Sequence, residues 1–254
     1  MTTIDRLYFA TARVSTFNGT IGRTNASGFF FERDERLFLV TSRHVVIDPE
    51  ADHFPDRLEI ELHLDAVNLT RSTGLSVLLY KDARAVWHQG KDATGEIDVA
   101  VIELDRKALP AGAVLAPFTP AHLQAVADDV PVDASLFIIG FPLGFHDGLH
   151  HLPVVRHAIL ASPFGVRFQG QGFFLTDART HRGTSGAPVV IRDAGPHADP
   201  TALHWKLVGI HSSRIDMGDR DLVQDESLGL NCAWYADILR TLTAPPEPAS
   251  IVKA

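Results

Sequence analysis

Apolar residues along this chain come mostly in short runs of about four to eight, broken by Gly, Pro, Asp and Asn, a pattern that fits strands better than helices. In the first half the runs predict strands over residues 14–17, 28–32, 37–41, 58–64, 76–80 and 99–104. In the second half they predict strands over 135–140, 154–161, 172–176, 187–192, 205–212 and 228–232. Residues 106–133 read differently. Pro110, Pro117, Pro120 and Pro131 stand there among alanines, which suits a connector with one helical turn near 121–127. One helix is predicted, over 233–242, where Trp234, Ile238 and Leu239 share a face before Pro245 and Pro246 end it. Strands on both sides of a Pro-rich connector predict an all-β chain of two small barrels or sandwiches.

Composition narrows the class. At roughly 150 residues per domain, 254 residues allow one large domain or two small ones. With 45% hydrophobic and 21% charged residues the chain can bury a sizeable core. Its 23 basic against 31 acidic residues leave a formal charge of -8, which argues against nucleic acid as a partner because phosphate contacts need a basic face. The lone Cys232 excludes an intrachain disulfide and a cysteine-built zinc site. The first residues lack a basic stretch followed by an apolar one, and no window approaches the roughly 18 apolar residues of a membrane span. The expectation is therefore a soluble, cytoplasmic protein with no membrane partner.

The 13 histidines invite a metal reading, and the densest cluster is His146, Asp147, His150 and His151. Two ligands four residues apart need a helix to converge, and Gly148 marks this stretch as a loop. No metal or other cofactor is expected, and a metal-dependent hydrolase built on that cluster is a minor alternative. The remaining histidines, His197 and His181 among them, show no spacing that converges on a ligand set.

Three segments carry chemistry. Thr41-Ser42-Arg43-His44 follows an apolar strand and places an imidazole at a sheet edge, where a general base can reach substrate. Glu96-Ile97-Asp98 leads directly into another apolar strand, so the Asp98 carboxylate is shielded enough to hold a neighbouring imidazole N–H. Arg182-Gly183-Thr184-Ser185-Gly186-Ala187-Pro188 flanks a serine with glycines, which permits the tight turn that exposes a hydroxyl and lets backbone N–H groups converge beside it. Each segment alone is an ordinary structural feature. Together they stand in the order His, Asp, Ser at gaps of 54 and 87 residues, the order of chymotrypsin-type enzymes and not of subtilisin or the α/β-hydrolases.

On these residues the chain resembles the trypsin-like (chymotrypsin-fold) serine peptidases from about Thr16 to Leu239. VTSRHVV is similar to the family's T-A-x-H segment, DVAVIEL to its D-I-A-L segment and RGTSGAPVV to its G-D-S-G-G-P loop. LTDARTHRGTSGAP and IIGFPLGF look like the corresponding stretches of bacterial HtrA-type peptidases. The resemblance implies two six-stranded antiparallel β-barrels with a short C-terminal helix. It divides the chain into residues 1–118 with His44 and Asp98, residues 119–242 with the nucleophile and specificity pocket, and a tail over 243–254. It implies His44 as base, Asp98 as its orienter, Ser185 as nucleophile and the N–H groups of Gly183 and Ser185 as the oxyanion hole. The substrate would be a polypeptide.

The resemblance is incomplete. Thr184 stands where animal digestive enzymes carry Asp, so their zymogen switch is not expected to operate, and too few residues follow the helix for a PDZ domain. His211, in the strand similar to the one lining the family's primary pocket, and Thr180, five residues before the nucleophile, resemble glutamyl endopeptidases and picornaviral cysteine proteases. With Ser212 and Ser213 they imply a pocket that prefers Glu or Gln before the scissile bond; Arg182 and Arg214 would add positive potential at its rim. A cytoplasmic peptidase of this kind suggests narrow specificity, a regulatory or effector protein partner, or a role in bacterial defence. The rival expectation is a catalytically silent trypsin-like barrel that binds a peptide or protein.

Overall fold

Two sheets form, each around its own apolar cluster, and a third cluster fills the space between them. The protein, described by a computed structural model, is defined over residues 4–128, 130–195, 199, 202–214 and 229–245. The first sheet is built from β1 (Thr11–Asn18), β2 (Ile21–Arg33), β3 (Arg36–Thr41), β4 (Arg57–His63) and β5 (Ser72–Leu78). A small hairpin of β6 (Tyr80–Lys81) and β7 (Arg84–Ala85) leads into β8 (Trp87–Asp92) and β9 (Gly95–Leu104). The seven long strands lie in the order β5-β4-β1-β2-β3-β9-β8, all antiparallel. The second sheet comprises β10 (Leu136–Gly140), β11 (Val154–Leu160), β12 (Phe173–Asp177), β13 (Pro188–Arg192), β14 (Trp205–Arg214) and β15 (Leu230–Tyr235). Those six close into a barrel in the order β10-β11-β12-β15-β14-β13.

Alternation along the strands explains the three clusters, since successive side chains point to opposite faces. On β2, Phe30 enters the first sheet's core with Leu39, Leu58 and Ile60, while Phe29 and Phe31 turn to the layer between the sheets. On β9, Ala100 and Ile102 face the first core and Val99 and Val101 the shared layer. From the other side that layer receives Ile139, Leu175, Val190, Leu207 and Trp234. The barrel's own interior holds Leu136, Ile138, Phe174, Val189 and Val208.

All twelve predicted strands have counterparts. The first sheet differs in gaining β8, whose Trp-His-Gln-Gly-Lys-Asp composition shows no alternation of apolar and polar residues. It is also not closed by hydrogen bonds as the second is. The predicted helix over 233–242 is corrected at its start: Ala233, Trp234 and Tyr235 belong to β15, and the helix is confined to Ile238–Leu242. Barrel closure overrides local propensity there, because Ala233 and Trp234 pair with Phe174 and Phe173 of β12 and with His211 and Ile210 of β14. The start of that predicted strand at Leu228 lies outside the described residues, as do His197 and residues 246–254. The connector contains a short 3-10 turn at Pro120–His122 and touches both halves through bridges of Phe118 to Phe31 and Leu123 to Leu207. Among the described residues no helix is long and apolar enough to cross a membrane.

Candidate active site

β3 hands the chain through Ser42 to a single helical turn, α1 (Arg43–Val46). Val45 and Val46 are buried in the first core and pin this turn, so His44 is presented from a helix and not from the strand end expected from sequence. Asp98 projects from β9 beneath it. Its Oδ1 accepts the His44 backbone N–H at 2.8 Å, its Oδ2 lies 2.8 Å from His44 Nδ1, and the Ser212 hydroxyl donates to Oδ2 at 2.5 Å. With Nδ1–H directed at the carboxylate, Nε2 carries the lone pair a base needs.

The electrostatics follow from the same contacts. Burial pulls the His44 imidazole down, but the hydrogen bond and charge of Asp98, helped by Asp48, outweigh it and hold the ring above its ordinary value. Burial pushes the Asp98 carboxyl up, yet the His44 ring, the Ser212 hydroxyl and the His44 N–H together keep it below the usual carboxylate range.

Ser185 sits in the turn before β13. Gly183 and Gly186 have φ of +89° and +83°, the left-handed region that favours glycine. A Cβ at 183 would lie 2.6 Å from the Phe141 carbonyl oxygen, and one at 186 would overlap Ser27 O and Thr41 Oγ1. In this turn the Thr184 N–H donates to His181 O at 3.1 Å, Gly186 N–H to His211 O at 2.8 Å and Ala187 N–H to Thr184 O at 2.9 Å. The N–H groups of Gly183 and Ser185 have no acceptor among the described residues. Two unengaged donors in the turn that carries a serine meet the first requirement of an oxyanion hole.

Ser27, unnoticed in the sequence, locks this turn to the first sheet. Its Oγ donates to Gly183 O at 2.8 Å and accepts the Phe141 N–H at 2.9 Å, while its own N–H donates to Ser185 O at 2.9 Å. The Leu143 N–H reaches Arg182 O at 2.5 Å from the other side. His44, Gly183 and Ser185 all line one cleft of about 530 Å³. No hydrogen bond joins His44 Nε2 to Ser185 Oγ among the described residues; such bonds commonly tighten only with substrate in place.

The residues expected to bind the substrate side chain are placed less simply. His211 lies on β14, 2% exposed, with its Nδ1 buried and unpartnered. Burial first, and then the charge of His44, push its pKa down to about 3, so the ring is neutral. Thr180 is buried and its hydroxyl donates to Asn231 Oδ1. Asn231, which no motif announced, in turn donates to Ala178 O at 2.8 Å and Gly229 O at 3.0 Å, clamping the segment ahead of the Ser185 turn. Ser212 is a positioning residue for Asp98 and not a free hydroxyl, because the parity that buries His211 turns Ser212 to the carboxylate. Ser213 is exposed. The Arg214 side chain and residues 215–228 lie outside the described residues. In the 146–151 loop His146 Nδ1 faces Gly144 O at 2.7 Å and His150 Nδ1 faces Asp147 Oδ2 at 2.7 Å, so these side chains do not converge on one point.

Comparison with known proteins places the fold. A serine endoprotease from Yersinia pestis is similar in structure, with TM-score 0.55 and 17% identity over 94% of this chain and 62% of that one. The chain thus spans less than two-thirds of that protein's length. A serine-to-alanine mutant of Rv3671c from M. tuberculosis H37Rv, in an inactive form, gives TM-score 0.51 and 13% identity, covering 93% and 86% of the two chains. The Rv3671c protease, also in an inactive form, gives TM-score 0.50 and 13% identity over 94% and 91%. No match is found among curated proteins. The model of the trypsin-like peptidase domain matches residues 26–195, two-thirds of the chain and the stretch that holds His44, Asp98 and Ser185, and the chain belongs to that family.

Proposed function

We propose that this protein is a serine endopeptidase acting by acyl transfer. The observation that carries the reading is the pair of unengaged N–H groups at Gly183 and Ser185, in one cleft with an imidazole already oriented by Asp98. Ser185 Oγ attacks the scissile carbonyl while His44 Nε2 takes its proton, and the two N–H groups hold the oxyanion. Collapse breaks the C–N bond, and His44 returns the proton to the departing amine. Water then attacks the acyl-enzyme by the reverse sequence, freeing Ser185 and the acid product.

For the side chain before the scissile bond we propose Glu or Gln. The neutral His211 ring, with no hydrogen-bond partner among the described residues, is suited to meet a carboxylate or carboxamide. We further propose that narrow specificity or a protein partner limits the activity, since the buried Thr184 stands where the zymogen aspartate would act.

A second reading, a silent barrel that binds peptides, is favoured only by the missing His44–Ser185 hydrogen bond. Digestion of a proteome-derived peptide library, read by mass spectrometry, separates the readings. Wild type should cut after Glu or Gln, and Ser185→Ala should lose at least about a thousandfold in rate. Cuts after Val or Ala would reject the His211 pocket, and cuts without preference would reject narrow specificity. A wild type that cuts nothing and resists a fluorophosphonate probe would establish the binding module instead.

A further inference from the structure

The cleft beside Ser185 carries charge opposite to that of the molecule. The chain has a formal charge of -8, yet among the described residues its cleft is lined by two arginines, Arg23 and Arg182, against one acid, Asp48. Neither arginine meets a carboxylate among the described residues. Among the described residues Arg23 donates only to the Asp52 carbonyl, at 3.2 Å, and the exposed Arg182 makes no side-chain hydrogen bond. Elsewhere Arg36, Arg106 and Arg167 each pair with an acid. The cleft's other titratable groups are His44, whose ring is held by Asp98, and His53, whose Nε2 is engaged with Val45 O at 2.9 Å. Asp48 also accepts the Ala51 N–H and favours the protonated form of His44, which leaves one guanidinium in excess.

The mechanism fixes which half of a substrate this cleft receives. His44 gives its proton to the departing amine, so the residues after the scissile bond lie on the His44 side of Ser185. The cleft is lined from that side, by Gly22–Ala26 of β2 and by Val45, Asp48 and Ala51, and by none of β14 where His211 stands. β2 also offers main-chain recognition there. It pairs with β1 from Ile21 to Phe29, with a register shift at Arg23, and with β3 only from Phe29 onward, so among the described residues its other edge is open over 21–26. The Ser27 N–H points from that edge to Ser185 O, and strand alternation aims the Asn25 backbone groups the same way. An extended segment can therefore add to β2 antiparallel, running from Ser185 past Asn25 toward Arg23.

We propose that the cleft selects polypeptides carrying carboxylate side chains in the first three residues after the scissile bond. Arg182, next to the oxyanion donor Gly183, meets the first of them, and Arg23, two residues beyond Asn25 on the open edge, meets the later ones. This rests on the peptidase reading for the direction of the substrate.

The test measures binding and cleavage separately. Fluorescein-labelled pools of peptides, random in the first half and ending in Asp/Glu or in Asn/Gln, are titrated by anisotropy against Ser185→Ala protein. The acidic pool should bind about tenfold tighter, and the advantage should shrink as salt is raised. Arg23→Gln and Arg182→Gln should each reduce it about threefold, in line with exposed ion pairs. Arg23 is exposed on the strand edge, so Arg23→Gln keeps the test valid if Arg182→Gln disturbs the nucleophile turn. Equal binding of the two pools, or an advantage untouched by Arg23→Gln, overturns the proposal. If wild type cleaves both pools at equal rates, the peptidase reading stands and this one falls. If it cleaves neither while the acidic pool still binds tighter through Arg23, the reverse holds.

Discussion

Buried beside the His44–Asp98 pair, its Nδ1 without a hydrogen-bond partner among the described residues, the His211 ring stays neutral to about pH 3, whereas an unfolded histidine takes up a proton near 6.5. A group whose folded pKa is depressed contributes stability that is present above its unfolded value and lost as pH falls toward the folded one. Between about pH 6.5 and 3 the unfolded chain therefore binds one proton more through this residue, a slope of up to about 1.4 kcal/mol per pH unit. His44 acts oppositely: its raised pKa gives stability below the unfolded value that is lost as pH rises through the folded one. His211→Gln should flatten the acid limb in urea unfolding measured from pH 6.5 to 4. An unchanged slope would mean that position 211 is not the buried neutral group inferred here. His44, Asp98 and Ser185 could be singled out in the sequence because each lies in a local motif with a distinctive neighbour pattern. The engagement of Ser212 with Asp98 was not, since it depends on which face of β14 turns to a residue 114 positions away.

At the level of elements, β2 does two jobs that its sequence states only in part. Its apolar stretch was readable, but the polar extension over residues 21–26 shows no apolar alternation and becomes strand only by pairing with β1. Just past this extension Ser27 joins the first sheet to both loops that shape the Ser185 turn. Ser27→Ala would leave the Phe141 N–H and the Gly183 carbonyl without their partner in a fully buried site, which costs about 1–3 kcal/mol. On the proposed reading, in which Gly183 supplies an oxyanion donor, turnover should fall about tenfold or more while KM changes little, as expected when a group acting in the transition state is misplaced. Wild-type turnover in a stable Ser27→Ala protein would separate Ser27 from the oxyanion turn. Ser27→Thr retains the hydroxyl and distinguishes a lost hydrogen bond from crowding. The helix over 233–242 failed for a related reason. Its apolar spacing fits a helical face, and only closure between β12 and β14 assigns residues 233–235 to a strand.

For the molecule as a whole, the apolar layer between the sheets is as much a core as either sheet's own. Phe29, Phe31, Val99 and Val101 from one half and Ile139, Val190, Leu207 and Trp234 from the other belong to one buried cluster. The site is assembled across the same boundary, with His44 and Asp98 on one side and Ser185 and Ser212 on the other. Separating the halves would expose several aromatic and aliphatic side chains, each worth about 1.5–3 kcal/mol when buried. Unfolding one half should therefore carry the other with it, although the chain is larger than most two-state domains. The three tryptophans report this directly: Trp87 packs in the first core, while Trp205 and Trp234 lie in the shared cluster on second-half strands. Variants retaining one tryptophan each should unfold in urea at a common midpoint after correction for the stability change of each substitution. An earlier midpoint for Trp87 would mean that the first sheet melts alone and that the inter-sheet layer is too weak to hold His44 opposite Ser185. A common midpoint would make the geometry of the proposed catalytic site as stable as the fold itself, because nothing short of global unfolding would then part the two sides of the cleft.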